Sequence, residues 1–227
     1  MIATNNLTKK YGNTTILNNA SMEIPENKIT FIAGANGSGK TTFIKCLLNI
    51  EKYQGNITYN GMGFEEVRQL VSVVYDKSLL FPTLTGYQNI ELLTNISIKN
   101  KAVFQMNEAL SDLLTKDKLK EKVKHYSLGE KKKLSLLIGL LNKPKFLFMD
   151  EISNGLDYQS LEKLKIMLKN LSLTTTILVC GHHLEFYSSF VDNVFILKNN
   201  SIVKFENFKK NEEDGDDISE IYKQFSL

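Results

Sequence analysis

Hydrophobic and polar positions along this chain follow two periods in turn, and each change of period marks an element. Ile29-Thr30-Phe31-Ile32-Ala33 is an apolar, β-prone run, the pattern of a buried strand. After the glycine-rich loop that follows it, Phe43, Ile44, Leu47 and Leu48 recur on one helical face. Before this pair, Met1–Leu7 and Thr15–Ile24 read as strands around a turn at Lys9–Asn13. A second β-rich part surrounds Asn56–Asn60 and ends in Gly61-Met62-Gly63. From Lys101 to about Val123 the period becomes helical, with Val103, Met106, Leu110, Leu113 and Leu114 on one face. Another helix is predicted from about Gly129 to Leu141, stopping near Asn142-Lys143-Pro144 because proline cannot continue it. Phe146–Met149 and Thr176–Cys180 are further buried strands, with a two-faced helix over Tyr158–Leu171 between them. Val194–Leu197 and Ile202–Phe205 form a hairpin across Asn199-Asn200. The polar, acidic stretch Asn211–Asp217 reads as a linker to a short helix near Ile218–Phe225.

Strands alternating with helices predict an α/β core with parallel strands. Phosphate sites in such sheets lie outside the carboxyl ends of strands. The loop Gly34–Gly39, the pair Asp150-Glu151 and His182 each follow a buried strand, so all three should meet at one edge.

Composition narrows the function. The 227 residues suit one large domain, or a core with a subdomain, and 42% hydrophobic content supports a sizeable core. A net charge of +3 gives no polycationic signal for nucleic acid. The one dense basic run, Lys131-Lys132-Lys133, reads as a solvated helix face. No apolar stretch approaches the roughly 20 residues that span a bilayer, and Met1–Lys10 has no apolar signal-peptide core. The expectation is an intracellular protein whose membrane role, if any, is borrowed from a partner. Cys46 and Cys180 form no metal spacing and read as small buried hydrophobes.

The segment Gly34-Ala35-Asn36-Gly37-Ser38-Gly39-Lys40-Thr41-Thr42 fits G-x-x-x-x-G-K-[ST], the phosphate-binding P-loop. Glycines let the backbone wrap a phosphate chain, and the amides at the following helix start bind the anion. Lys40 would reach the β- and γ-phosphates and the Thr41 hydroxyl would ligate Mg²⁺. Phe146–Met149 followed by Asp150-Glu151 fits a Walker B strand, with Asp150 in the Mg²⁺ shell and Glu151 polarising water.

In order and spacing these motifs resemble the ATP-binding cassette (ABC) ATPases over nearly the whole chain. Asp150-Glu151-Ile152-Ser153-Asn154-Gly155-Leu156-Asp157 is similar to Walker B running into the D-loop. His182 stands at the place of the switch histidine, and Tyr11 at that of the aromatic that stacks on adenine. Ser127-Leu128-Gly129-Glu130 is similar to the signature loop, and Ser127-x-x-Glu130 is equally a helix capping box. Tyr11 also suits a plain turn. The resemblance implies a P-loop NTPase core with an N-terminal antiparallel β subdomain and a helical signature subdomain. It implies an ATPase domain over 1–210, with the helical part at about 85–143, and the linker and helix over 211–227. It implies ATP and Mg²⁺ as cofactors and a head-to-tail dimer, in which Ser127 and Gly129 contact the partner's γ-phosphate and Asp157 links the two sites.

There are departures. Leu128 and Glu130 replace the usual Gly and Gln of the signature, and Ile152 the Pro after the Walker B glutamate. Asp76, in Val73–Pro82, stands where the Q-loop carries Gln and would touch both Mg²⁺ and the membrane partner. An acidic residue there is similar to bacterial peptide-antibiotic immunity transporters. The resulting expectation is a transport ATPase with catalytic Lys40, Glu151 and His182, and with Thr41, Asp76 and Asp150 around the metal. Its partners would be transmembrane permease subunits on separate chains and a second ATPase copy, at the inner face of the cell membrane, with no nucleic acid. The alternative is a soluble ABC ATPase that remodels a protein assembly.

Overall fold

The computed structural model describes residues 1–77, 79–94, 96, 113–205 and 208. In chain order the elements are β1 (Ile2–Tyr11), β2 (Thr14–Ile24), β3 (Ile29–Ala33), α1 (Lys40–Leu47), β4 (Gln54–Tyr59), α2 (Phe64–Val67), β5 (Val71–Val74), α3 (Gly86–Thr94), α4 (Lys116–Lys120), α5 (Leu128–Leu141), β6 (Phe146–Asp150), α6 (Tyr158–Leu171), β7 (Thr176–Gly181), α7 (Leu184–Ser188), β8 (Asn193–Lys198) and β9 (Ser201–Lys204). A 6-stranded sheet runs β5-β6-β7-β3-β8-β9, and a 3-stranded sheet runs β2-β1-β4. The large sheet is parallel except for its β8–β9 edge hairpin; the small one is antiparallel.

The continuous apolar runs of the central strands are explained by burial on both faces. In β3, Ile29, Phe31 and Ala33 join one core cluster and Ile32 the other. In β6, Leu147 and Met149 take the first face while Phe146 and Phe148 take the second; β7 repeats this with Ile177 and Val179 against Leu178 and Cys180. The first face packs against α5, α6 and α7 through Leu134, Leu137, Leu164, Leu168 and Tyr187. The second meets α1 and the small sheet through Phe43, Ile44, Leu47, Leu17 and Tyr59. Each such fully buried side chain stabilises the fold by about 1.5–3 kcal/mol relative to exposure. Cys46 and Cys180 are both buried and free.

Three local expectations change. The first turn shrinks to Gly12-Asn13, because Lys9, Lys10 and Tyr11 pair with Leu17, Thr15 and Thr14. The helix expected over Lys101–Val123 lies largely outside the described residues, and within them it does not run through. It stops at Lys120, and Glu121 is extended. The physical reason is competition for backbone groups: Gly86 donates to Glu121 O (3.1 Å) and Val123 to Leu84 O (2.9 Å), so this stretch bonds to the segment entering α3 instead of to its own helix. In the basic run, Lys132 is turned inward and is 2% exposed. The expected tail helix lies outside the described residues. The β8–β9 turn does fall at Asn199-Asn200, where both asparagines take positive φ (48° and 63°) as a tight hairpin turn requires.

Candidate functional site

The chain leaves β3 at Ala33, wraps through Gly34–Gly39 and enters α1 at Lys40. Two glycines are sterically required. A Cβ on Gly34 would stand 2.6 Å from Ser38 Oγ and 3.0 Å from Leu197 O. Gly39 has φ +110°, and a Cβ there would meet Ile16 Cγ2 at 2.7 Å. The loop curls back on its lysine: buried Lys40 donates from Nζ to Gly34 O (2.7 Å) and Ala35 O (3.1 Å).

Parallel pairing of β3, β6 and β7 in register brings three strand ends to one edge. Thr41 Oγ1 donates to Asp150 Oδ2 at 2.6 Å. Asp150 is 4% exposed, and its Oδ1 is buried without a partner. Burial pushes its carboxyl above the usual range, against the Thr41 hydrogen bond, and the charge of Glu151 adds to the rise.

Glu151 takes φ +54°, an uncommon conformation for a non-glycine residue. Three side chains hold its carboxylate: Lys40 Nζ at 3.2 Å on Oε1, His182 Nδ1 at 2.6 Å and Asn154 Nδ2 at 3.0 Å on Oε2. His183 stands edge-on to His182, with ring centroids 4.5 Å apart. Burial and the neighbouring His182 lower its pKa.

The cleft over these groups holds about 380 Å³. It is lined by Asn36, Gly37, Gly39, Lys40, Thr41 and Thr42 from the loop and α1, and by Asp76, Asp150, Glu151 and His182. Gly34, Ala35 and Ser38 belong to the same loop but are not among the residues lining the cleft, and Ser38 Oγ is buried without a partner. Ile16 and Asn154 line the cleft too and had escaped the sequence reading. Asn154 had a detectable signal, an amide three residues beyond the Walker B glutamate; Ile16 had none.

Asp76 sits in the loop after β5. Lys132 from α5 ion-pairs with Asp76 Oδ1 at 2.9 Å and donates to Glu151 O at 3.1 Å. Sequence reasoning missed this because the lysine is hidden in a basic run.

Tyr11, Ser127, Gly129 and Asp157 are not among the residues lining this cleft. Tyr11 is 44% exposed at the end of β1, with Lys9 Nζ 4.4 Å above its ring. Ser127 is the N-cap of α5 in a full capping box: Glu130 N donates to Ser127 Oγ (3.2 Å) and Ser127 N donates to Glu130 Oε2 (2.7 Å). Asp157 caps α6 by accepting from Ser160 N at 2.8 Å.

The donor set fits Mg²⁺. The oxygens of Thr41, Asp150 and Asp76 are hard ligands, and the orphaned Asp150 Oδ1 gains from a cation. Among the described residues no group of three or more His, Cys, Asp or Glu stands ready to hold a metal.

A glycine loop feeding a helix after β3, with a hydroxyl-bonded aspartate and a caged glutamate at the end of β6 and with β7 between the two strands, has the geometry of a P-loop. A sequence model of the family described as ABC transporter matches residues 17–154. The lantibiotic transport ATP-binding protein SrtF of Streptococcus pyogenes is 31% identical over 211 residues, covering 89% of each chain. The bacitracin transport ATP-binding protein BcrA of Enterococcus faecalis is 29% identical over 233 residues, covering 99% of this chain and 71% of its own. A solved ATP-binding subunit of an ABC transporter superposes with TM-score 0.85 at 19% identity, covering 100% of both chains. A dimeric ATP-binding cassette bound to ADP and Pi superposes with TM-score 0.79 at 24% identity, covering 92% of this chain and 100% of its own. The chain belongs to the ABC transporter family, as one of its ATP-binding subunits. Membership carries ATP binding and hydrolysis with it. No helix among the described residues is long and apolar enough to cross a membrane.

Proposed function

We propose that this chain hydrolyses ATP with Mg²⁺ in the cleft and so powers transmembrane permease subunits, carried on separate chains, that export a peptide or lipid-like substrate. One observation carries the hydrolytic part: the Glu151 carboxylate is caged by Lys40, His182 and Asn154 beside the Thr41–Asp150 hydrogen bond. The transport of lantibiotics and bacitracin by the named relatives, together with Asp76 at the Q-loop position, supports the export part.

Lys40 would exchange its loop carbonyls and Glu151 for β- and γ-phosphate oxygens. The amides of Gly34–Thr42 would receive the phosphate chain at the start of α1. Thr41, Asp150 and Asp76 would hold Mg²⁺, which when bound offsets phosphate charge. Released from Lys40, Glu151 would accept a proton from the attacking water. His182 would orient that carboxylate and reach the γ-phosphate. Tyr11 would stack on adenine from the rim. Ser127, Gly129 and Asp157 would act on the nucleotide of a second copy, which suits their position outside this chain's own cleft. Helices α3, α4 and α5 would form the helical subdomain facing the permease, and the assembly would work at the cytoplasmic face of the membrane.

Glu151→Gln tests this. The amide keeps the shape but loses the proton acceptor, so ATP binding should persist while turnover falls by at least about 100-fold. The trapped ATP should hold two copies together in light scattering after size exclusion. Wild-type turnover in this variant would remove Glu151 from the role of base. Copurification with a hydrophobic subunit tests the transport part; capture only by a soluble scaffold would favour the remodelling alternative.

A further inference from the structure

We propose that Lys132 is a positioning residue that ties the loop after β5 and the backbone of Glu151 to helix α5, so that the three move as one unit. The proposal rests on the hydrolytic reading of the cleft and adds a coupling element to it. Lys132 is 2% exposed, and a buried ammonium is tolerable only with partners. Its two acceptors come from different elements: Asp76 Oδ1 at 2.9 Å and Glu151 O at 3.1 Å. Both residues line the cleft.

The bond to Glu151 bears on catalysis through geometry. Glu151 holds φ +54°, so its backbone rests in a sparsely populated region and depends on its surroundings. Lys132 fixes the carbonyl of that residue, and with it the direction in which the carboxylate leaves the strand end. The bond to Asp76 bears on charge. The Asp76 side chain is 42% exposed at the cleft wall, and Lys132 compensates its carboxylate. Helix α5 is also pressed onto β5, since a Cβ on Gly139 would meet Val74 Cγ2 at 2.9 Å. The same helix starts at Ser127, the residue proposed to meet the nucleotide of a second copy. A displacement of α5 on closure of the dimer is therefore delivered through one side chain to both Asp76 and Glu151.

The test is a cycle of Lys132→Met, Asp76→Asn and the double variant, in the full chain, with two readouts. The first is kcat and KM for ATP with Mg²⁺. The second is ATP affinity in EDTA by calorimetry, where no metal screens the cleft. In Lys132→Met the Glu151 carbonyl loses its donor, and kcat should fall about 10- to 100-fold, the usual cost of losing an orienting partner. KM should move far less. In EDTA the uncompensated Asp76 should weaken ATP binding, and adding Asp76→Asn should restore it while kcat stays low. A general structural defect would move both readouts together and would not be rescued in one alone. If Lys132→Met does not fold, Lys132→Gln in the same cycle removes the charge while keeping a donor, and the affinity loss and its rescue read the pair. Unchanged kcat in a folded Lys132→Met protein, or an affinity loss that Asp76→Asn leaves in place, would overturn the proposal. Absence of ATPase activity in the wild type would overturn the hydrolytic reading instead, and the EDTA affinities would still decide whether Lys132 compensates Asp76.

Discussion

Lys40→Ala exposes how far the cleft is organised around its lysine. Lys40 Nζ makes three contacts within the protein: Gly34 O at 2.7 Å, Ala35 O at 3.1 Å and Glu151 Oε1 at 3.2 Å. On the proposed reading ATP binding would exchange these partners for phosphate oxygens, and only the surplus would contribute to affinity. Hydrogen bonds to charged groups are worth about 1.5–3 kcal/mol each. A surplus of one such bond predicts ATP binding about 10- to 150-fold weaker in Lys40→Ala. Calorimetric titration with ATP and Mg²⁺ measures this directly. Unchanged affinity would refute the assignment of the loop as the phosphate site. A loss beyond about 1000-fold, about 4.1 kcal/mol, would refute the exchange argument, because it exceeds a surplus of one charged hydrogen bond. Glu151 keeps His182 and Asn154 when Lys40 is removed, so the variant should remain folded.

Two further outcomes follow from single residues. Gly39→Ala forces a side chain into φ +110° and against Ile16, so it should lower stability by about 1–3 kcal/mol and weaken ATP binding, read by thermal melting and titration; an unshifted melting temperature would count against the loop geometry. Asp157→Ala removes the α6 cap, and the hydrogen bonds from Ser160 hold the Asp157 carboxyl below its usual pKa. A depressed folded pKa stabilises above the unfolded value and is lost as pH falls through the folded one. The variant should thus melt lower than wild type at neutral pH, and the two should converge in acid. A deficit independent of pH would mean the cap does not act through the charge.

Much of this protein was legible in order along the chain. The loop Gly34–Gly39, the pair Asp150-Glu151 and His182 could be placed because each follows a short apolar, β-prone run that reads as a buried strand. A parallel sheet then delivers successive strand ends to one edge without further information. The capping box at Ser127 and the hairpin at Asn199-Asn200 were equally readable, since both are settled by residues within a few positions of one another.

Tertiary structure decided what depends on residues distant in sequence. Periodicity cannot tell which member of Lys131-Lys132-Lys133 faces inward, because all three look solvated until Asp76 and the Glu151 carbonyl stand opposite one of them. The break after Lys120 comes from backbone groups competing with the segment entering α3, and helix spacing carries no trace of that competition. Ile16 reaches the cleft because β2 folds over Gly39, while Tyr11 at the end of β1 is not among the residues lining it. Local chemistry determined which groups could act on a nucleotide; the charge partners of those groups, and the helix that holds two of them, were set by packing across the chain.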